Sequence, residues 1–292
     1  MSLSNKNIDK LVQEALAIEA EEAKDAGALG FMARILVQAT LPHSKQDGHI
    51  FDRRNGDLLM SMMAHPSVGL PYGTIPRLLL AWLTTEAVRT KERKLMLGDS
   101  MSAFMRELGL VPTGGRWGSI TRLKDQTNKL FSATIHCRYE TDDNTKFINL
   151  GLVDSGDFWW QPHSPDQQTI WESSVTLSEG FFNEIIDRPV PVDMRALKAL
   201  KQSPMALDVY TWLTYRLSYL AHQTEIPWEA LQAQFGASYP DTSQGKRDFK
   251  KNLFKQLQKI NVIYPEAKVS EGDYGLVLKP SKSHIKRLKV GM

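Results

Sequence analysis

Only one of the 292 residues is a cysteine, Cys137. A single thiol excludes an internal disulfide framework and a cysteine-based zinc site. Its place in an apolar strand-like run reads as burial, not nucleophilic use. No run of about 18 apolar residues occurs, so no segment spans a membrane as a helix. Met1-Ser2-Leu3-Ser4-Asn5-Lys6 leads straight into a charged helical pattern without the apolar core of a signal peptide. These absences point to a cytoplasmic protein with no membrane partner.

Catalytic and cofactor patterns are missing as well. The seven histidines (His43, His49, His65, His136, His163, His222, His284) are scattered, with no His-x-x-x-His and no His-apolar-His pair. Glu92-Arg93-Lys94 followed by Asp99 is too short to distinguish a nuclease pattern from a charged turn. Gly114-Gly115-Arg116-Trp117-Gly118-Ser119 has Ser-Ile where a nucleotide loop needs Lys-Ser/Thr after the last glycine. It reads instead as a helix N-terminus facing a phosphate of nucleic acid. The expectation is a protein that is not an enzyme and needs no cofactor or metal.

What the chain does have is an ordinary globular composition, 42% hydrophobic and 24% charged, with an uneven charge distribution. From Gly245 to Met292 twelve Lys/Arg face four Asp/Glu, a local +8. The net charge is +3, so the rest of the chain carries −5. Acid gathers early, at Asp9, Glu14, Glu19, Glu21, Glu22 and Asp25. A basic end on a mildly acidic protein suits a polyanion met by one region; a solubilising tail has the same composition.

Hydrophobic spacing predicts an amphipathic helix from about Asn7 to Lys24, with Ile8, Leu11, Val12 and Ala15 on one face and Gly27 as its C-cap. Strand-like runs follow at Arg34–Leu41 and Asp57–Ala64. Asn55-Gly56, between His49-Ile50-Phe51 and the second run, signals a hairpin. Thr74 and Pro76 open a helix with Leu78, Leu79, Trp82, Leu83 and Val88 apolar. Lys94–Leu97 then reads as a short strand. Asp99 or Ser100 caps a helix with Met101, Phe104, Met105 and Leu108 inward, ended by Gly109. A third helix is predicted from about Gly118 to Phe131, and a hairpin from Ala133–Tyr139 and Lys146–Val153.

This order returns. Pro204 opens a helix with Leu207, Tyr210, Trp212, Leu213 and Leu217 apolar, and Thr211-Trp212-Leu213-Thr214 echoes Ala81-Trp82-Leu83-Thr84. Thr224-Glu225-Ile226 takes the short-strand place, Pro227-Trp228 opens a helix to Gly236, and a basic helix runs from about Gly245 to Ile260. Val262–Val269 and Tyr274–Leu278 form the second hairpin around Glu271-Gly272-Asp273. A unit of about 130 residues is too long for a solenoid repeat and fits a duplicated domain.

The expected fold class is therefore α+β, two tandem winged helix-turn-helix units with an N-terminal helix. Residues 1–70 supply the helix and a hairpin packed on the first unit, 71–188 the first unit, and 189–292 the second, basic unit. A strand from Thr169 to Leu177 and a helix from Ser178 to Asp187 precede Arg188-Pro189-Val190-Pro191-Val192, which reads as an extended spacer. Trp159-Trp160 reads as sheet packing more than as a base-stacking platform.

Two helices carry the candidate chemistry. In the first unit Ile120, Leu123, Thr127 and Leu130 point inward, which places Ser119, Arg122, Gln126 and Lys129 outward, flanked by Arg116 and Lys124. In the second, Phe249, Leu253, Leu257 and Ile260 point inward, leaving Arg247, Lys250, Lys251, Lys255 and Gln258 outward, with Lys246 beside them. Cations for phosphates and Arg/Gln forks for base edges are what a helix in the major groove of double-stranded DNA requires. A solvated helix face is the plain alternative.

Three stretches resemble the plasmid-encoded RepA family of replication initiators. They are Tyr72-Gly73-Thr74-Ile75-Pro76-Arg77-Leu78-Leu79-Leu80-Ala81-Trp82-Leu83 with Glu86 to Lys91, Leu97 to Gly109, and Thr113 to Leu123. The resemblance runs from about Leu41 to Ser281. It implies a protein that binds its plasmid origin at repeated sites and helps host initiator and helicase proteins open the duplex. Related initiators are often dimers that repress their own gene, so a homodimer is among the implied forms. A transcriptional regulator, dimerising through the first helix and sensing a ligand or partner, is the competing reading. The family offers no catalytic residue to carry over.

Overall fold

A computed structural model describes residues 5–141, 143–158 and 173–285. Asp142, Trp159-Trp160, the Gln161–Gln168 stretch and the first residues of the strand expected from Thr169 lie outside the described residues.

The chain opens with α1 (Asn5–Ala20), which buries Ile18 and half-buries Leu11 and Ala15, the i, i+4, i+7 face. Val12, expected on that face, is 42% exposed. The helix also stops earlier than its sequence pattern indicates. Arg195 donates from Nη1 to the Ala17 carbonyl (3.1 Å) and from Nη2 to the Glu21 carbonyl (2.8 Å), capping the helix end from a distant segment. Gly27, at φ +63°, lies in the turn before β1 (Leu29–Met32).

Arg34–Leu41 is not a strand; it holds α2 (Arg34–Gln38), with Ile35, Leu36 and Val37 all buried. A short apolar run buried on every side has no periodicity to distinguish helix from strand. Tertiary partners decide it here: Gln234 Nε2 donates to the Val37 and Gln38 carbonyls, and Asn55 Nδ2 donates to that of Gln38. The hairpin expected at Asn55-Gly56 forms from β2 (Ile50–Asn55) and β3 (Leu58–Met63), with Gly56 at φ +56°.

Next come α3 (Thr74–Thr90), β4 (Lys94–Met96), α4 (Met101–Glu107) and α5 (Ser119–Phe131), all as anticipated. Ser100 caps α4 by accepting from the Ala103 N–H at 3.2 Å. The hairpin β5 (Thr134–Glu140) and β6 (Thr145–Gly151) also forms, but it does not close this unit. It pairs with β3, giving a four-stranded sheet in the order β2-β3-β5-β6. Met60 and Met62 on β3 and Ile135 and Cys137 on β5 bury one shared face, which sequence adjacency cannot reveal.

The strands that complete the sheet of β4 come later: β7 (Val153–Asp157) and β8 (Ser174–Leu177), in the order β4-β8-β7, with β8 bonded to β4 and β7 to β8. After them lie α6 (Glu179–Asp187), β9 (Val190–Asp193), and α7 (Met194–Leu200), a helix with no sequence counterpart above. The proline-rich 188–192 segment is extended but is no free spacer. Here β9 pairs antiparallel with β1, Phe31 opposite Pro191, and buries Val190 and Val192.

The second run consists of α8 (Pro204–Tyr219), β10 (Thr224–Pro227), α9 (Trp228–Phe235), α10 (Ser243–Ile263), β11 (Val269–Glu271) and β12 (Gly275–Leu278). Its strand order, β10-β12-β11, repeats that of β4-β8-β7. The strand expected to start at Val262 is instead the end of α10. Ile260, Ile263 and Tyr264 are buried, and Tyr264 Oη donates to the Lys282 carbonyl at 2.6 Å.

The first helix of each run, α3 and α8, is apolar nearly all round and buried accordingly. They meet at the centre of one continuous core, where Arg77 and Asp208 face each other.

Candidate nucleic-acid interface

In both runs an aromatic pair fixes the second helix on the first. Trp82 on α3 meets Phe104 on α4 edge-to-face at 5.0 Å, and Trp212 on α8 meets Phe235 on α9 the same way at 5.4 Å. With these frames set, α5 and α10 occupy matching places and each turns one face to solvent.

On α5, Leu123, Thr127 and Leu130 are buried and Ile120 is half-buried, as the spacing predicts. Arg122 and Lys124 are exposed, and so is Arg116 in the preceding turn. Ser119 and Gln126, expected outward, are buried. Ser119 Oγ donates to the Val111 carbonyl (2.6 Å) and accepts from the Thr113 N–H (2.9 Å), which locks the turn into α5. Gln126 Oε1 accepts from the Tyr72 N–H at 2.8 Å, fastening α5 to the start of α3. Lys129 lies largely covered, its side chain 13% exposed, bonded to Asp125 at 2.8 Å with its ammonium 5.1 Å from the Tyr72 ring centre. The face that does meet solvent also carries Thr121, Asp125 and Asn128.

On α10 the expectation and the geometry agree more closely. Phe249, Leu253, Leu257 and Ile260 are buried, and Arg247, Lys251, Lys255 and Gln258 form an exposed stripe at i, i+4, i+8 and i+11. Among the described residues no carboxylate lies within salt-bridge reach of Lys251 or Lys255. Lys246 pairs with Asp241 at 3.2 Å on the surface. Lys250 is drawn sideways, 2.5 Å from a Glu271 oxygen and 4.5 Å from the Trp228 ring centre, so it braces α10 against β11 and α9. Thr242 caps the helix, accepting from the Gly245 N–H at 3.0 Å.

Exposed Lys268 and Lys279 face each other at the base of the β11–β12 hairpin, the Lys279 N–H donating to the Lys268 carbonyl at 3.0 Å. The sequence reading did not single them out. It also missed the exposure of Trp117, because a tryptophan beside glycines carries no periodicity that places it.

The catalytic candidates set aside above have structural employment. Cys137 is buried and its thiol is pushed up to about 12 by that burial and by Glu184. Arg93 pairs with Asp154 and donates to the Leu177 carbonyl. Among the described residues no group of three or more His, Cys, Asp or Glu is arranged to hold a metal ion. No described helix is long and apolar enough to cross a membrane.

The model of the family described as "Plasmid encoded RepA protein" matches residues 70–230. The chain belongs to this RepA family of replication initiators. The matched residues run from the entry of α3 into α9, so they include α5 and stop short of α10. No curated protein sequence matches this RepA-family chain. Among solved structures it is similar to domains 2 and 3 of RctB, in a selenomethionine crystal form at TM-score 0.56 and 12% identity, covering 87% of this chain and 98% of that one. A second RctB structure of domains 2–3 matches at TM-score 0.50 and 13% identity, covering 84% and 96%. At these identities the likeness shows the fold alone, a mixed α and β architecture shared over most of both chains.

Proposed function

We propose that this RepA-family protein is a non-catalytic plasmid replication initiator that binds double-stranded origin DNA at repeated sites through two winged helix-turn-helix units. In this reading residues 71–188 and 189–292 are the two units; residues 1–70 pack on both and not, as the sequence suggested, on the first alone, since α1 lies against α7 and α10 and β1 pairs with β9 while β3 pairs with β5. The recognition helices are α5 and α10, and β7–β8 and β11–β12 are the wings; β5–β6 is an insertion that joins the N-terminal hairpin. The repeated strand order, with the first strand bonded to the last, supports it.

The observation that carries the reading is the stripe Arg247, Lys251, Lys255 and Gln258 on α10, exposed in the recognition position of its unit. Three cations and an amide at helical spacing fit phosphate and base-edge contacts in a major groove. On α5, Arg116, Arg122 and Lys124 take this role, beside the polar Thr121 and Asn128. Ser119, Gln126 and Lys129 act on DNA only through the shape they give α5. Host initiator and helicase proteins are the partners that opening the duplex would call for.

The test is footprinting of the purified protein on DNA flanking its own gene, with random competitor present. Protection of several evenly spaced repeats is the expected result. Protection of one palindrome would favour a regulator instead, a reading for which the exposed Val12 and Leu16 on α1 offer a dimerising surface. No protection at low salt would overturn both.

A further inference from the structure

The turn between α4 and α5 presents an aromatic ring to which the duplex reading assigns no role. Trp117 is 82% exposed, the largest aromatic ring set out in solvent among the described residues. The turn that carries it is held by its own hydrogen bonds. Ser119 and Thr113 exchange hydrogen bonds, the Ser119 N–H donating to Thr113 Oγ1 and the Thr113 N–H to Ser119 Oγ, both at 2.9 Å. Thr121 Oγ1 donates to the Gly115 carbonyl at 2.9 Å, and the Gly118 N–H donates to the same carbonyl at 3.0 Å.

Two glycines make the bend possible. Gly115 takes φ +85°, and a Cβ on Gly118 would lie 2.3 Å from the Thr113 carbonyl oxygen. The ring therefore stands on a braced support. Its surroundings are cationic: the Arg116 guanidinium lies 5.1 Å from the Trp117 ring centre, and exposed Arg122 and Lys124 follow on α5.

We propose that Trp117 is a stacking platform for an unpaired base of single-stranded DNA, with Arg116 holding the adjoining phosphate. The inference rests on the reading of this chain as a DNA-binding initiator and deepens it. Inside a duplex each base face is already covered by its neighbours, so an outward ring finds a free π-face only where strands are separated. A flat aromatic surface beside cations is the recurring solution for binding unpaired bases without regard to sequence. Holding the ring in place beforehand avoids the entropy of ordering it on binding.

The experiment uses the full chain and its Trp117→Ala and Trp117→Phe variants. The probes are a thymidine-rich single strand carrying one 2-aminopurine and a fluorescent duplex of origin-flanking sequence. Wild type and Trp117→Phe should quench the 2-aminopurine emission, and Trp117→Ala should not. Trp117→Ala should lose about tenfold in single-strand affinity, within the range for one stacked base, while duplex affinity stays within about twofold of wild type because no free base face is offered there. The exposed position makes all three proteins equally folded, which circular dichroism checks. Duplex binding by wild type with no quenching, or equal quenching by Trp117→Ala, would overturn this inference and leave the proposed function standing. Binding to neither probe would overturn both.

Discussion

Arg77 and Asp208 lie 131 residues apart and meet as a two-pronged ion pair at the centre of the molecule, Nε to Oδ1 and Nη2 to Oδ2, both at 2.7 Å. Every remaining guanidinium N–H is also used: Nη1 donates to the Pro42 and Gly73 carbonyls and Nη2 to that of Leu41. His43 Nε2 lies 2.7 Å from Asp208 Oδ2. Burial pushes the Asp208 carboxyl up, but Arg77 and His43 outweigh it and hold the carboxyl below its ordinary value. One pair of charges thus ties the two central helices and the 41–43 segment into a single block, on which α5 and α10 are both packed.

Removing one partner should therefore cost more than removing both. Asp208→Asn leaves the Arg77 charge buried and uncompensated, a loss of about 3–5 kcal/mol. Arg77→Leu combined with Asp208→Leu should recover part of it. Urea unfolding of the three variants measures this, and a single variant as stable as wild type would refute the central role of the pair.

Acid should destabilise the fold in two stages. His43 and His284 are held below the ordinary value of 6.5, chiefly because burial disfavours the charged ring. The unfolded chain takes up protons on these rings first, so their contribution is complete above pH 6.5 and is lost as pH falls below it. The Asp208 contribution is complete above its ordinary 3.8 and is lost as pH falls further, through its depressed folded value. Unfolding midpoints should fall between pH 7 and pH 5, and the fall should be shallower in His284→Asn. A slope identical to wild type would exclude His284 as a contributor.

Buried Ser119 and Gln126 should behave as structural residues. Ser119→Ala and Gln126→Ala leave backbone groups of Thr113 or Tyr72 without a partner and should cost about 1–3 kcal/mol each. The ratio of cognate to random DNA affinity should remain unchanged in protein that is still folded. A changed ratio would place these side chains at base edges after all.

The two basic surfaces should separate by salt. Lys251→Ala should weaken binding to all sequences alike and reduce the slope of log K against log salt by about 0.9, one phosphate contact. Arg122→Ala should instead narrow the gap between cognate and random DNA. Equal effects of both changes on both DNAs would remove that division of labour.

The helix-strand-helix-helix order and its repetition were legible from the sequence because they depend on local signals. Trp82 and Trp212 sit in matching apolar stripes, and Ser100 and Pro204 mark helix starts by their own chemistry. The stripe on α10 was legible for the same reason, since 21 residues of helix give the apolar period room to declare itself. On α5 the same reasoning misplaced Ser119 and Gln126. Polarity stood in for exposure there, and both side chains satisfy backbone groups inside the fold.

By itself, then, the sequence determined the longer helices, the apolar stripes of most of them and the basic end, all properties of neighbours within a turn or two, while it took α2 for a strand and gave no sign of α7. Tertiary structure alone decided which strands pair. A β-strand makes none of its ladder hydrogen bonds within itself, and its own residues do not name the partners that take them. That is why β4 joins β8 and not the nearer β5, why 188–192 is a paired strand, and why α1 ends where Arg195 reaches it.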